Sequence, residues 1–98
     1  MVEEINDEKF IEVVKEGKVL VDCYATWCGP CRMLSLIIDE LASEKEDYKF
    51  YKLDVDNSNK VTKEYGIMSI PTLLIFENGE LKEKVVGFIS KEELEEKL

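Results

Sequence analysis

The spacing of apolar positions changes several times along the chain, and each change marks an element. Phe10, Val13 and Val14 fall on one face of a short helix that Asn6 or Asp7 can cap, with Gly17 fitted to its C-terminal stop. Before it, Val2 to Ile5 has room only for a short edge strand. Val19 to Tyr24 is almost wholly apolar, the pattern of a strand covered on both faces, and predicts the centre of a sheet. Leu34, Ile37, Ile38 and Leu41 then recur at helical spacing and predict a long helix from about Cys31 to Lys45. Phe50 to Val55 alternates, with Tyr51, Leu53 and Val55 on one face, so the succession is strand, helix, strand with a right-handed crossover. Val61 and Tyr65, backed by Gly66, suggest a further short helix. Thr72 to Phe76 and Leu81 to Val86 are joined by Asn78-Gly79, a strong hairpin signal. Ser90-Lys91-Glu92-Glu93 reads as a capping box ahead of a last helix that carries Leu94 and Leu98 on one face. The expected class is therefore α/β, a mixed sheet between helices in three layers.

Length agrees with one domain over residues 1–98, enough for a single core. No repeat, linker or low-complexity segment divides it. The formal charge is −9, from 22 acidic against 13 basic residues, with no Lys/Arg block, which disfavours nucleic-acid binding. The N-terminal residues are acidic and lack an apolar run, so no secretory signal is expected and a cytoplasmic location follows as the default. The stretch from Tyr65 to Phe76 carries no charge but is broken by Pro71 and is too short to span a bilayer. A soluble monomer that does not engage membranes is the expectation.

Composition narrows the chemistry further. The chain has no histidine, which removes Cys–His nucleophilic catalysis and most zinc sites. Three cysteines are an odd number, which argues against a structural disulfide framework. Two of them stand in Trp27-Cys28-Gly29-Pro30-Cys31, between the predicted central strand and the predicted long helix. Thiols two residues apart can form a reversible dithiol/disulfide pair, and the positive end of a helix dipole favours a thiolate at Cys28. Pro30 suits a first helical turn because the N–H it lacks needs no partner there. A metal half-site would need further ligands that only Cys23 and carboxylates could supply, so no metal and no cofactor are expected.

Cys-x-x-Cys beside a strand–helix–strand pattern is a known signature of the thioredoxin-like fold. This chain resembles the thioredoxin family over nearly its whole length. The agreement includes Val21-Asp22, Ala25-Thr26-Trp27-Cys28-Gly29-Pro30-Cys31, Lys52-Leu53-Asp54-Val55-Asp56, Tyr65-Gly66-Ile67, Ile70-Pro71-Thr72, Asn78-Gly79 and Val86-Gly87-Phe88. The resemblance implies a protein-disulfide reductase that is re-reduced by a thioredoxin reductase and acts on disulfide-bearing proteins. Cys28 would be the exposed nucleophile and Cys31 would resolve the mixed disulfide. Asp22 matches the family's buried aspartate, which takes the proton of the resolving thiol, and Lys52 matches its partner lysine. Pro71 matches a cis proline facing the disulfide. Trp27, Gly29, Pro30, Ile70, Thr72 and Gly87 would line the substrate groove with it.

Other readings stay open beside this one. An oxidase or isomerase of the same fold is one, although Gly-Pro between the cysteines resembles the reducing members. A binding module without turnover is another, and a glutaredoxin is disfavoured by the lack of a basic glutathione pocket. Several positions depart from the family pattern. Cys23 and Tyr24 stand where larger aromatics are usual, and Cys23 is expected to be an inert buried thiol. Leu36 replaces a proline, which predicts a weaker helix kink, and Met68-Ser69 replaces a more typical pair ending in glycine.

Overall fold

The computed structural model describes residues 2–98. Its elements are β1 (Val2–Ile5), α1 (Asp7–Val13), β2 (Lys18–Tyr24), α2 (Gly29–Glu44), β3 (Tyr48–Asp54), a short 3-10 turn (Val55–Asn57), α3 (Asn59–Glu64), β4 (Thr72–Glu77), β5 (Glu80–Val86) and α4 (Lys91–Lys97). The strands form one sheet in the order β1-β3-β2-β4-β5. β1, β3 and β2 run parallel, and β4 and β5 complete the sheet in antiparallel fashion.

The alternation along β2 divides the core in two. Val19, Val21 and Cys23 join Phe10, Val14, Leu53, Val61, Leu74 and Phe76 on the side covered by α1 and α3. Leu20 joins Leu34, Ile38, Leu41, Phe50, Leu73 and Leu94 on the side covered by α2 and α4. Both faces of β2 are thus buried, as its almost wholly apolar run requires. Phe10, Tyr65 and Phe76 meet edge to face, with ring centroids 5.5–5.7 Å apart.

Local chemistry sets the element ends. Asn6, not Asp7, caps α1 by accepting from the Lys9 N–H at 2.9 Å. Asp7 is left free to reach α3, where its carboxylate accepts from the N–H groups of Lys60 and Val61 at 3.2 and 3.0 Å. Asn78 adopts φ 51° in the β4–β5 turn and holds Gly17 twice: its side chain accepts from the Gly17 N–H and its own N–H donates to the Gly17 carbonyl, both at 2.9 Å. Lys91 pairs with Glu40 and Glu44 of α2, and Lys97 with Glu83 of β5, which seats α4 on the sheet. α2 begins two residues earlier than the apolar spacing predicts, because Cys28 supplies its cap. It runs unbroken for 16 residues through Leu36, whose side chain is exposed. β3 likewise begins at Tyr48 rather than Phe50, and Val55 has already left it for the 3-10 turn.

Candidate active site

β2 ends at Tyr24, and the four residues after it carry the chain to the start of α2. Cys28 occupies the N-cap in extended conformation, and its Sγ accepts from the Cys31 N–H at 3.2 Å. Cys28 and Cys31 are joined in a disulfide, with Cα atoms 5.3 Å apart. Reduction would turn the capping sulfur into an anion facing orphan N–H groups and the positive end of a 16-residue helix, an arrangement that favours the thiolate.

The expectation of an exposed Cys28 is corrected here. In the disulfide state it is 5 % exposed and Cys31 2 % exposed, and both pack with Ala25. The cover comes from the partly buried Tyr24, Val55 and Ile70 laid against that cluster. What stands out beside them is Trp27, 69 % exposed, whose indole N–H donates to Asp56 Oδ2 at 2.9 Å. The sequence pattern gave no role to Asp54 or Asp56. A second acid two residues beyond a buried one, at a strand end, is the only local sign of their turn.

Ile70-Pro71 is a cis peptide bond, and the Pro71 carbonyl accepts from the Gly87 N–H at 2.8 Å. Gly87 has φ +94°, and a Cβ there would meet nothing within 4 Å, so its glycine answers to backbone conformation rather than crowding. Thr72 does not face outward. It is buried, its hydroxyl donates to the Ser69 carbonyl at 2.7 Å, and it pairs with Cys23 on one side and Val86 on the other. Its place is to hold the Ile70-Pro71 loop. Met68, two residues before Ile70, is 95 % exposed. Gly29 is the first helical residue, partly buried, and Pro30 follows it exposed.

Asp22 lies on the α2 side of β2, directly across from Lys52 of β3 in the parallel register. It is buried, and its Oδ1 has no hydrogen-bond partner among the described residues. Burial pushes its carboxyl up to about 7, against the opposing pull of the Lys52 charge and with a further push from Asp39 of α2. A buried acid poised near neutrality can accept and return a proton at physiological pH. A half-open cavity of about 220 Å³ lies close by, lined by Cys31, Lys52, Tyr24, Arg32 and Ser35 among others. Cys23, the neighbour of Asp22 on the opposite face, is a free buried thiol raised above its usual range by burial and then by the Asp22 charge.

The family model for thioredoxin matches residues 1–98. The chain belongs to the thioredoxin family. It is 47 % identical over 97 residues to the thioredoxin of Listeria monocytogenes, covering 98 % of this chain and 94 % of that one. It is 51 % identical over 81 residues to the thioredoxin of Mycoplasmoides gallisepticum, covering 83 % of this chain and 81 % of that protein. Among solved structures, oxidised mitochondrial thioredoxin 3 from Saccharomyces cerevisiae superposes with a TM-score of 0.89 at 33 % identity, covering 98 % and 92 % of the two chains. A structure that concerns thiol resolution in a yeast mitochondrial 1-Cys peroxiredoxin by glutathione/thioredoxin systems matches with the same TM-score of 0.89 at 32 % identity, covering 98 % and 92 %. As a thioredoxin-family thiol-disulfide oxidoreductase, the chain works by dithiol–disulfide exchange through its own active-site cysteine pair, without a cofactor. No helix among the described residues is long and apolar enough to cross a membrane.

Proposed function

We propose that this thioredoxin-family chain reduces protein disulfides in the cytoplasm as a monomer of one domain, and is itself re-reduced by a thioredoxin reductase. The observation that carries the division of labour is Cys28 at the N-cap of α2, with Cys31 one turn inside, and Gly29-Pro30 between the cysteines supports reduction as the direction of flow. The Cys28 thiolate attacks one sulfur of a substrate disulfide, and the other sulfur leaves as a thiolate that takes up a proton. Cys31 then gives its proton to Asp22 and attacks Cys28 Sγ. The Cys28–Cys31 disulfide forms as the bond from Cys28 to the substrate breaks, and the second substrate sulfur leaves as a thiolate that takes up a proton, from Asp22 or from water, so two electrons have passed from the dithiol to the substrate.

Lys52, across from Asp22, limits how far burial raises that acid and so keeps it able to accept a proton. Trp27, Gly29, Pro30, Ile70, Pro71 and Gly87 border the face that meets the substrate, and Thr72 fixes the loop between them. An extended segment is the substrate shape that fits such a border. The peroxiredoxin context of one structural relative supports oxidised thiol proteins as a substrate class.

Insulin-disulfide reduction driven by a nicotinamide–flavin or a ferredoxin-linked thioredoxin reductase tests the reading. Catalytic precipitation of the insulin B chain with one of the two reductases is expected. Cycling of the disulfide by neither reductase, or reduction of insulin no faster than by dithiothreitol alone, overturns it.

A further inference from the structure

The loop that carries Ile70 and Pro71 to the disulfide runs from the end of α3 to the start of β4, and its two ends are tied by different means. At the β4 end the Thr72 hydroxyl donates to the Ser69 carbonyl at 2.7 Å, and the Gly87 N–H, just past β5, donates to the Pro71 carbonyl at 2.8 Å. At the α3 end the chain turns tightly. The Gly66 N–H donates to the Lys63 carbonyl at 3.2 Å and the Ile67 N–H to the Thr62 carbonyl at 2.9 Å, with Gly66 at φ +60°. Tyr65 and Gly66 lie beyond the helix, so no helical N–H serves their carbonyls. Lys84 of β5 takes both: its Nζ donates to the Tyr65 carbonyl at 3.0 Å and to the Gly66 carbonyl at 3.4 Å. Between these ties Met68 stands 95 % exposed.

An exposed lysine on an edge strand ordinarily keeps that edge soluble, and Lys82 of the same strand is of that kind, paired with Glu80 at 3.3 Å. Lys84 is placed differently. It sits opposite Leu74 in the β4–β5 register, on the face that α1 and α3 cover, and it meets backbone oxygens 18 and 19 positions away. We propose that Lys84 is a positioning residue for the Ile70-Pro71 loop: its ammonium ties the end of α3 to β5, so that one strand holds the loop at both ends, through Lys84 and, three residues on, through Gly87. A loop fixed in advance loses less freedom when an extended segment docks against it. An ammonium with three donors can serve two carbonyls at once, which an apolar side chain of similar length cannot. Lys84 acts through the loop and takes no part in sulfur exchange. The kinetic half of this proposal rests on the disulfide-reductase reading.

Lys84→Met keeps the length of the stem and removes the donors. Amide exchange at Gly66 and Ile67 is expected to quicken severalfold in this variant, while exchange in β2 and α2 stays at the wild-type rate. In turnover KM for insulin should rise roughly twofold to fivefold with kcat nearly unchanged, the size of an exposed hydrogen bond lost from pre-organisation. Reduction of hydroxyethyl disulfide, which is too small to lie along the loop, should proceed at the wild-type rate. Lys84→Arg keeps a cation with several donors and should recover most of the exchange protection and of the KM. Wild-type exchange at Gly66 and Ile67 in Lys84→Met overturns the proposal, and so does an unchanged KM for insulin. Hydroxyethyl disulfide reduction slowed as much as insulin reduction also overturns it, because the damage would then be general. If the wild type reduces no insulin, the functional reading has failed, while amide exchange still decides whether Lys84 holds the turn.

Discussion

At their buried positions the two faces of β2 differ by one residue in kind. Toward α1 and α3 the strand presents Val19, Val21 and Cys23, all apolar and all buried. Toward α2 and α4 it presents Leu20 and then Asp22, a carboxyl with an unpartnered oxygen beneath the active-site helix. An orphaned buried acid costs stability and a core valine supplies it, so the sheet separates the two tasks by face. One side holds the fold, and the other gives up stability for the buried carboxyl that the proposed mechanism uses as the proton acceptor of Cys31.

The contrast breaks most completely at the cysteines. Cys28→Ser should abolish disulfide reduction, whereas Cys31→Ser should still attack and stay trapped as a mixed disulfide visible on non-reducing gels. Equal trapping by both variants contradicts the assigned roles. Cys23, on the apolar face, should behave oppositely: in the reduced native protein alkylation labels Cys28 first and reaches Cys23 only on unfolding, since burial disfavours its thiolate. Rapid native labelling of Cys23 would show that this face is not closed.

Removing volume from the fold-bearing face should damage stability alone. Leu74 of β4 is fully buried there, and Leu74→Ala is expected to cost about 2–5 kcal/mol in denaturant melts, with the rate of insulin reduction per folded molecule unchanged. A variant of wild-type stability with slowed turnover would show that the faces are not separate.

Asp22→Asn should do the reverse, raising stability while slowing the step in which Cys31 expels the substrate thiol. The folded carboxyl lies at about 7 against 3.8 for the free group, so between those values the folded state holds a proton that the unfolded state has released. Wild type therefore loses stability relative to the variant as pH rises from about 4 to about 7. Below that window the difference vanishes. Above it the full gap corresponds to at most about 4 kcal/mol, reduced by whatever the buried amide itself lacks in partners. Melts of reduced protein across this range, with stopped-flow turnover beside them, check both halves. A variant less stable than wild type at neutral pH that turns over at the same rate would make Asp22 a satisfied structural acid.

Patterns within one element were legible in the sequence, and contacts between elements were not. The burial of β2, the Asn78-Gly79 hairpin and the Ser90 cap, which accepts from the Glu93 N–H at 3.2 Å, follow from local periodicity and turn chemistry. So does the placement of the cysteine pair at a helix start. The apolar spacing alone missed the first two residues of α2, Gly29 and Pro30, which carry no core side chain, whereas Pro30 and the cysteine pair marked the start. The burial of Cys28 escaped because its cover, Val55 and Ile70, arrives from residues far along the chain. Asp54, Asp56 and Asp7 read as ordinary acids until the fold brings them to their donors.

Asp7 gives the smallest and most local test, on the face opposite Asp22. Its carboxylate leaves the first turn of α1 to accept two backbone N–H groups at the start of α3, so it joins the two helices that cover the apolar face. Those N–H groups would otherwise have no helical acceptor, and a carboxylate there also meets the positive end of the α3 dipole. Asp7→Ala should cost about 0.5–2 kcal/mol, the usual loss when a helix cap is removed. Asp7→Asn keeps one acceptor and should cost less. Amide exchange should quicken at Lys60 and Val61 in the alanine variant, while Trp27 fluorescence and insulin reduction stay at wild-type values. Slowed reduction without faster exchange at those two amides would mean that Asp7 reaches the active site by another route, and that the two faces of the sheet are coupled after all.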